Sequence, residues 1–161
     1  MKLIFIRSTA FIFFLLFCSS LLLGADYIEW IGNFDPINLT TMDMQSSQPS
    51  GSSTISLLTS VHVSISADNA AQLDSGTDNL VTEYKLTFDD VGGTTGVDTP
   101  DWENYDVFLT IGTEGDVTYV PDDNEVEVTF YARASNPAGR VADAGSYSTT
   151  QTLTASWAGD P

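Results

Sequence analysis

The chain is poor in cysteine and in histidine. Cys18 is its single cysteine and lies in an apolar N-terminal stretch, and His62 is its single histidine. Beyond that stretch the chain therefore offers too few soft ligands for a zinc site and no thiol–imidazole pair for nucleophilic catalysis. No disulfide can brace this part of the chain, so we expect its stability to come from a packed core.

Positive charge is also scarce. The chain has 5 basic and 22 acidic residues, and its formal net charge is −17. A field of this sign repels phosphate backbones and anionic lipid headgroups, which makes nucleic acids and membrane surfaces poor partners. Such a surface is typical of a protein kept soluble in a salty or extracellular medium. The alternative is a surface that binds cations or a basic partner protein.

Residues 1–25 have the layout of an export signal. Lys2 and Arg7 form a positively charged start, residues 10–23 form an apolar stretch, and the segment ends in the small residues Gly24 and Ala25. The apolar stretch is too short and too serine-interrupted to predict a stable membrane anchor. We expect cleavage after Ala25 and a protein that is secreted, periplasmic or exposed at the cell surface.

Apolar and polar residues alternate along most of the remaining chain, which is the period of a half-buried β-strand. No segment keeps a helical period for more than two turns. Strands of this length, separated by turn-forming residues, indicate a single Ig-like antiparallel β-sandwich. The predicted strands cover residues 53–66 (as one strand or two joined strands), 80–88, 105–111, 116–120, 125–134 and 146–157.

The exported chain is expected to have three parts. Residues 26–44, the N-terminal segment, carry many large apolar side chains, residues 45–54 resemble a flexible Ser-rich spacer, and residues 55–161 form the sandwich. So many apolar side chains would not lie exposed at a free terminus. The N-terminal segment therefore docks either on its own sandwich or on a neighbouring molecule, and the sequence leaves both possibilities open.

The C-terminal stretch carries a family resemblance. Gly145 and Tyr147 lead into a Thr-rich run that ends near Trp157, and this stretch resembles the closing strand of spore coat protein U-like proteins, which belong to the chaperone–usher pilin group. The resemblance implies an Ig fold that lacks its last strand and takes the N-terminal strand of the next subunit into its open groove. It implies identical or related subunits, and a periplasmic chaperone, as partners.

This resemblance assigns roles to particular residues. The donor side chains would be Ile28, Trp30 and Phe34, whose even spacing places them on one face of a strand. The groove would be lined by apolar residues of the last two predicted strands. These groove candidates are Val126, Val128, Phe130, Tyr147, Leu153 and Trp157. The expected function is that of a structural subunit of a bacterial surface fibre or coat, assembling by β-strand exchange.

Two acidic loops support an alternative function. Loops 89–104 and 121–125 are rich in the oxygen ligands that Ca²⁺ takes from loops, and the second offers Asp122, Asp123 and Glu125. Trp102 in the first loop would suit stacking on a sugar, or would cap the sandwich. The alternative is thus an extracellular module, calcium-dependent or not, that binds carbohydrate or protein. The sequence contains no nucleophile elbow and no phosphate-binding loop, and we expect no enzyme.

Overall fold

The computed structural model describes residues 25–89, 93–110 and 112–160. Within these ranges the chain forms nine β-strands and no helix. The predicted export signal lies outside them apart from Ala25, and none of the described residues form a helix that could cross a bilayer. The strands are β1 (Ile28–Ile31), β2 (Ser50–Thr59), β3 (His62–Ala67), β4 (Val81–Asp89), β5 (Thr95–Gly96), β6 (Glu103–Asn104), β7 (Asp116–Thr118), β8 (Glu125–Ser135) and β9 (Leu153–Gly159).

The expected all-β antiparallel sandwich is confirmed. One sheet has the strand order β1-β2-β8-β4-β6 and the other has the order β5-β7-β3-β9. The alternating run over residues 53–66 supplies one strand to each sheet, because the chain turns a corner after Thr59. There the Thr59 hydroxyl donates to Val61 O at 2.7 Å and accepts from Val61 N at 3.1 Å, which satisfies main-chain groups that leave the ladder.

The core lies between the two sheets and is built from the inward-facing residues of β2, β3, β4 and β8. Tyr84, Phe108 and Phe130 form a ring cluster with centroids 5.2 to 5.9 Å apart. Tyr84 Oη donates to Ala71 O at 2.6 Å, and burial raises the pKa of Tyr84 to about 12. The side chains with the least exposure around this cluster are Leu57, Val61, Val63, Ile65, Leu86, Val117, Val126 and Val128.

The predicted strand over residues 105–111 is wrong. Residues 105–109 form consecutive turns, in which Val107 N and Phe108 N both donate to Asn104 O at 3.0 and 3.1 Å. Leu109 has a φ of 54°, which an extended strand does not permit. Phe108 enters the core with 1% exposure while Val107 is 40% exposed, the reverse of the orientation that simple alternation predicts.

Two other boundaries differ from the sequence-based expectation. Residues 50–54, expected to belong to the spacer, form the first half of β2 and pair with residues 129–133 of β8. The small residue Gly51 is needed there, because a Cβ atom would lie 2.8 Å from Ile37. At the other end of the chain, β9 begins only at Leu153. Residues 146–152 contribute one isolated bridge, between Asp74 and Ser148.

Candidate functional site

The N-terminal segment lies against the sandwich of its own chain. Its strand β1 pairs antiparallel with β2, so that Ile28 is opposite Thr59 and Trp30 is opposite Leu57. After Gly32, with a φ of 94°, the segment forms no further strand, although Asp35 N donates to Ser53 Oγ at 2.7 Å. In this single chain the segment is therefore packed in cis along the outer side of β2.

Phe34 is the donor candidate that contacts a groove candidate directly. Its ring lies between two others at tilted angles, with its centroid 6.0 Å from that of Trp30 and 5.8 Å from that of Phe130. Ile28, Trp30 and Phe34 are all half-buried against the core. These contacts are made within one chain, and the roles of donor and groove stay a prediction.

The groove candidates occupy three different environments. Val126, Val128 and Phe130 face inward from β8 and are buried, whereas Trp157 on β9 is 60% exposed. Leu153 is half-buried and borders the same cavity as Phe130. Tyr147 lies before β9, where its Oη donates to Asp143 O at 2.8 Å, and it borders a second cavity. Only Phe130 and Leu153 of the six share a cavity wall with the donor residues Trp30 and Phe34.

Two cavities flank the N-terminal segment. The first has a volume of about 460 Å³ and lies between residues 30–39 and residues 149–153, against Tyr84 and Phe130. The second has a volume of about 550 Å³ and lies beneath residues 141–147. Ile37, Leu39 and Leu73 border both cavities. The N-terminal segment therefore has unfilled space along two stretches, and it is packed more loosely than a protein interior normally is.

One polar atom in the first cavity lacks a partner. Gln151 Nε2 donates to Asn69 O at 3.0 Å and to Thr152 O at 3.1 Å, so the orientation of the amide is fixed by two carbonyl oxygens. Among the described residues no donor reaches the buried Gln151 Oε1. A buried acceptor without a partner is costly, and Gln151 Oε1 is such an acceptor on a residue that borders the first cavity.

Residues 136–147 form a loop over the second cavity. An ion pair and a set of side-chain hydrogen bonds hold this loop in place. The Arg140 guanidinium pairs with both carboxylate oxygens of Asp78. This pairing, with an N–H donated by Asp143, holds the pKa of Asp78 well below its usual range. Asn136 Nδ2 donates to Met44 O, and Asn136 Oδ1 accepts from Ala142 N, both at 2.9 Å. The hydrogen bond from Asn136 to Met44 connects the loop to the end of the N-terminal segment.

The calcium candidates are not gathered around a common point. Asp123 Oδ2 accepts from Thr94 N at 2.8 Å and also from Gly93 N, which secures a neighbouring loop. Asp122 stands in the turn before β8 with a φ of 73°, and Glu125 is exposed. Over the ranges that the structure describes, no three His, Cys, Asp or Glu side chains are placed to hold a metal ion.

Trp102 caps the outer face of the first sheet. The Arg133 guanidinium carbon lies 4.6 Å from the centroid of the indole ring, and Tyr131 meets the ring edge-on at 6.4 Å. Arg133 is itself held by Glu83 through hydrogen bonds of 2.7 and 3.0 Å. Of the two roles that the sequence left open for Trp102, the capping role fits this arrangement, because a cation already covers the ring.

A carboxyl pair lies on the side of the sandwich away from the N-terminal segment. Glu103 belongs to the acidic loop 89–104 that the sequence singled out, but no pattern indicated that Glu114 lies beside it. Burial raises the pKa of Glu103, and the adjacent Glu114 raises it further. Glu103 Oε2 accepts from Leu109 N at 3.2 Å, which helps to hold the turn that replaced the predicted strand. The pair is thus part of the loop structure on that side.

The two lateral sides of the sandwich differ in how their outer main-chain groups are satisfied. We call the side next to β4 the closed side, and the side formed by β1 and β9 the open side. On the closed side, Leu86 N donates to Thr99 Oγ1 and Thr99 N donates to Leu86 O, both at 3.0 Å, and Phe88 N donates to Asp98 Oδ1 at 2.8 Å. These bonds occupy the outer main-chain groups of β4. On the open side, among the described residues, β1 pairs only with β2 and β9 pairs only with β3.

The chain was compared with known proteins. No protein-family model and no curated protein matches it.

Proposed function

We propose that this protein is a secreted structural subunit of a bacterial surface fibre or coat, and that subunits join by exchanging their N-terminal segments. In the exchanged form, the segment of one chain takes on a neighbour the place that it takes here on its own chain. One observation supports this proposal. Trp30 packs on Phe34 and Phe34 packs on Phe130, in a segment that is flanked by two cavities.

Exchange of this kind keeps nearly all contacts, because the cis and trans forms bury the same surfaces. The equilibrium between the cis form and the trans form is then set by the residues that connect the segment to β2 and by the protein concentration. The connection is residues 45–49, which lie between the segment and the start of β2. A short connection that cannot fold back without strain favours the exchanged form.

Release of the segment requires only local opening. Its strand β1 has four residues, whereas β2 and β8, which pair along the middle of the sheet, have 10 and 11. The remainder of the segment forms no strand and runs beside cavities, so it loses fewer atomic contacts when it leaves than a closely packed strand would lose.

A pair of engineered cysteines distinguishes the two forms. Ile31 of β1 and Ser56 of β2 are cross-strand partners, and the variant Ile31→Cys/Ser56→Cys is made in the full chain, exported and purified without reductant. If segments are exchanged, each disulfide joins two chains and a non-reducing gel shows a ladder of covalent multimers.

The matched control is the variant Thr54→Cys/Thr129→Cys. These residues face each other across β2 and β8, with hydroxyl oxygens 2.9 Å apart, so their disulfide closes within one chain in either form. A ladder from the first variant and a monomer from the control supports exchange. Monomers from both variants contradict it, and the extracellular binding module then becomes the leading hypothesis.

A further inference from the structure

We propose that β9 is a second assembly surface, which pairs antiparallel with β9 of another copy across a two-fold axis. The surface is the outer edge of β9, a strand whose Leu153 also borders the first cavity. The inference does not depend on segment exchange. It rests on the free edge of β9, on the absence of charge along it, and on the exposed side chain of Trp157.

The outer edge of β9 is open. The strand stands at the end of its sheet, and its ladder partner is β3 alone. An edge strand presents a row of unpaired N–H and C=O groups, and proteins normally protect such a row with charged side chains, proline, a bulge or a covering loop. Residues 153–159 contain neither charge nor proline, but the pairing with β3 has a register shift between Trp157 and Gly159, opposite His62 and Val63. Within the described ranges, the side-chain hydrogen bonds from this strand go to Ser64 and Asp68, on the β3 side.

The outer main-chain groups of β4, on the closed side, are protected. Along β4, side chains and main-chain groups of Asp98 and Thr99 occupy positions that an incoming strand would use. Of the edge strands with more than two residues, β1 carries Glu29, whereas β9 carries no charge. The edge of β9 therefore lacks charge and proline, and the register shift near Trp157 is its only irregularity in the pairing with β3.

Charge favours a second copy as the occupant. Residues 144–159 contain no Asp, Glu, Lys, Arg or His in a chain whose net charge is −17. Two copies that approach through any acidic surface repel each other, and like charges directly opposite in a sheet are destabilising. Contact between two β9 strands brings the copies together along a stretch that adds no such repulsion.

The regular part of β9, Leu153–Trp157, limits the register. A pairing centred on Ser156 places Trp157 opposite Ala155 of the second copy, and the register shift at Ala158 lies at the end of the paired stretch. Trp157 is 60% exposed, and a small opposing residue leaves room for its ring to be covered. The resulting two-fold pair would join two four-stranded sheets into one of eight strands, within the usual size of a twisted open sheet.

A single engineered cysteine tests the geometry. In the full chain, the variant Ser156→Cys places two thiols opposite each other at the axis, so oxidation is expected to give a covalent dimer that ends at two chains. The matched control is Ser66→Cys, because Ser66 is exposed on the same sheet but lies on β3, which is paired on both sides. Failure of Ser156→Cys to cross-link more than the control would overturn the proposal.

A charge variant provides an independent test that needs no cross-link. The variant Ser156→Asp sets two carboxylates opposite each other, and we expect the dissociation constant of the dimer in sedimentation equilibrium to rise at least about tenfold. Ser156→Asn is the neutral control, and Ser66→Asp adds the same charge away from the axis. Equal dimerisation of Ser156→Asp and Ser156→Asn, or a wild-type chain that stays monomeric at millimolar concentration, would show that β9 is not a pairing surface.

Discussion

The closed side and the open side of this sandwich are built from the same kinds of strand but end differently. On the closed side, Thr99 and Asp98 satisfy the outer groups of β4, and 12 of the 22 acidic residues fall between Asp89 and Glu127. On the open side, β1 carries Glu29, whereas β9 carries no charge. Protection against strand addition is therefore weakest along β9.

The two sides also differ in packing. Phe108 and Leu86 lie in the fully buried core near the closed side, whereas the N-terminal segment on the open side borders cavities of about 460 and 550 Å³. Dense packing makes an element costly to remove, and loose packing makes it exchangeable. The difference suggests that stability is concentrated on one side and assembly on the other.

The largest expected effect compares one leucine from each region. Leu86→Ala removes a side chain with 0% exposure and should lower the free energy of unfolding by about 2–5 kcal/mol. Leu153→Ala should cost less than about 2 kcal/mol, because Leu153 is half-buried and already borders a cavity. Urea unfolding measures both values. Equal losses would mean that the open side is packed as firmly as the core, and the comparison would fail.

An intermediate effect is expected from the protected edge itself. Thr99→Val keeps the shape of the side chain but leaves the buried Leu86 N–H without an acceptor, which should lower the free energy of unfolding by about 1–3 kcal/mol. The control is Thr152→Val on the open side. Thr152 is exposed, and its main-chain N–H, which the substitution keeps, donates to Asn69 Oδ1. Comparable losses in the two variants would argue that Thr99 has no special role at this edge.

The smallest effect concerns the loop over the second cavity and depends on pH. The pKa of Asp78 is lowered from its ordinary value of 3.8, chiefly by Arg140, so the stability that this pair contributes is fully present above about pH 4. It is lost as the pH falls from 3.8 towards the lowered value. Because the Arg140 side chain is 51% exposed, solvent and salt screen the pair and the contribution is small.

Thermal unfolding of Asp78→Asn beside the wild-type protein measures this dependence. The variant should melt at a lower temperature at pH 7 and at pH 5, and the two melting temperatures should converge below pH 4. A difference that stays constant into that acidic range would show that the ionised carboxylate is not what Arg140 and the loop require.

Local alternation predicted those strands whose inner faces are covered by a core. The predicted run 80–88 corresponds to β4, and 125–134 corresponds to β8, because one buried face enforces a period of two. The same rule failed at residues 105–111, where Leu109 adopts a positive φ and Phe108 enters the core from a turn. Periodicity assigns side chains to faces but carries no information about such a reversal.

Pairing partners were harder to predict than faces. Residues 50–54 are small and polar, and their place in β2 depends on residues 129–133 of β8 and on the approach of Ile37 to Gly51. Residues 146–152 alternate as a strand does, yet they have few ladder bonds here. The sequence did identify Trp30, Phe34 and Phe130 as residues that meet, but whether they belong to one chain or two depends on a connection whose strain no pattern reveals.

The corner at Ser60 has a consequence for how the molecule would carry tension. Ile28 is opposite Thr59 and Gly159 is opposite His62, so the start of β1 and the end of β9 emerge beside the same corner. A single chain pulled by these two ends would unzip, because force applied at one end of a ladder breaks its hydrogen bonds one after another. In a fibre linked by exchanged segments, a segment would leave its host subunit at Met44, beside Asn136, and the host's own chain would leave at Ser50, opposite Arg133. Tension would then again enter and leave at one end of the ladder.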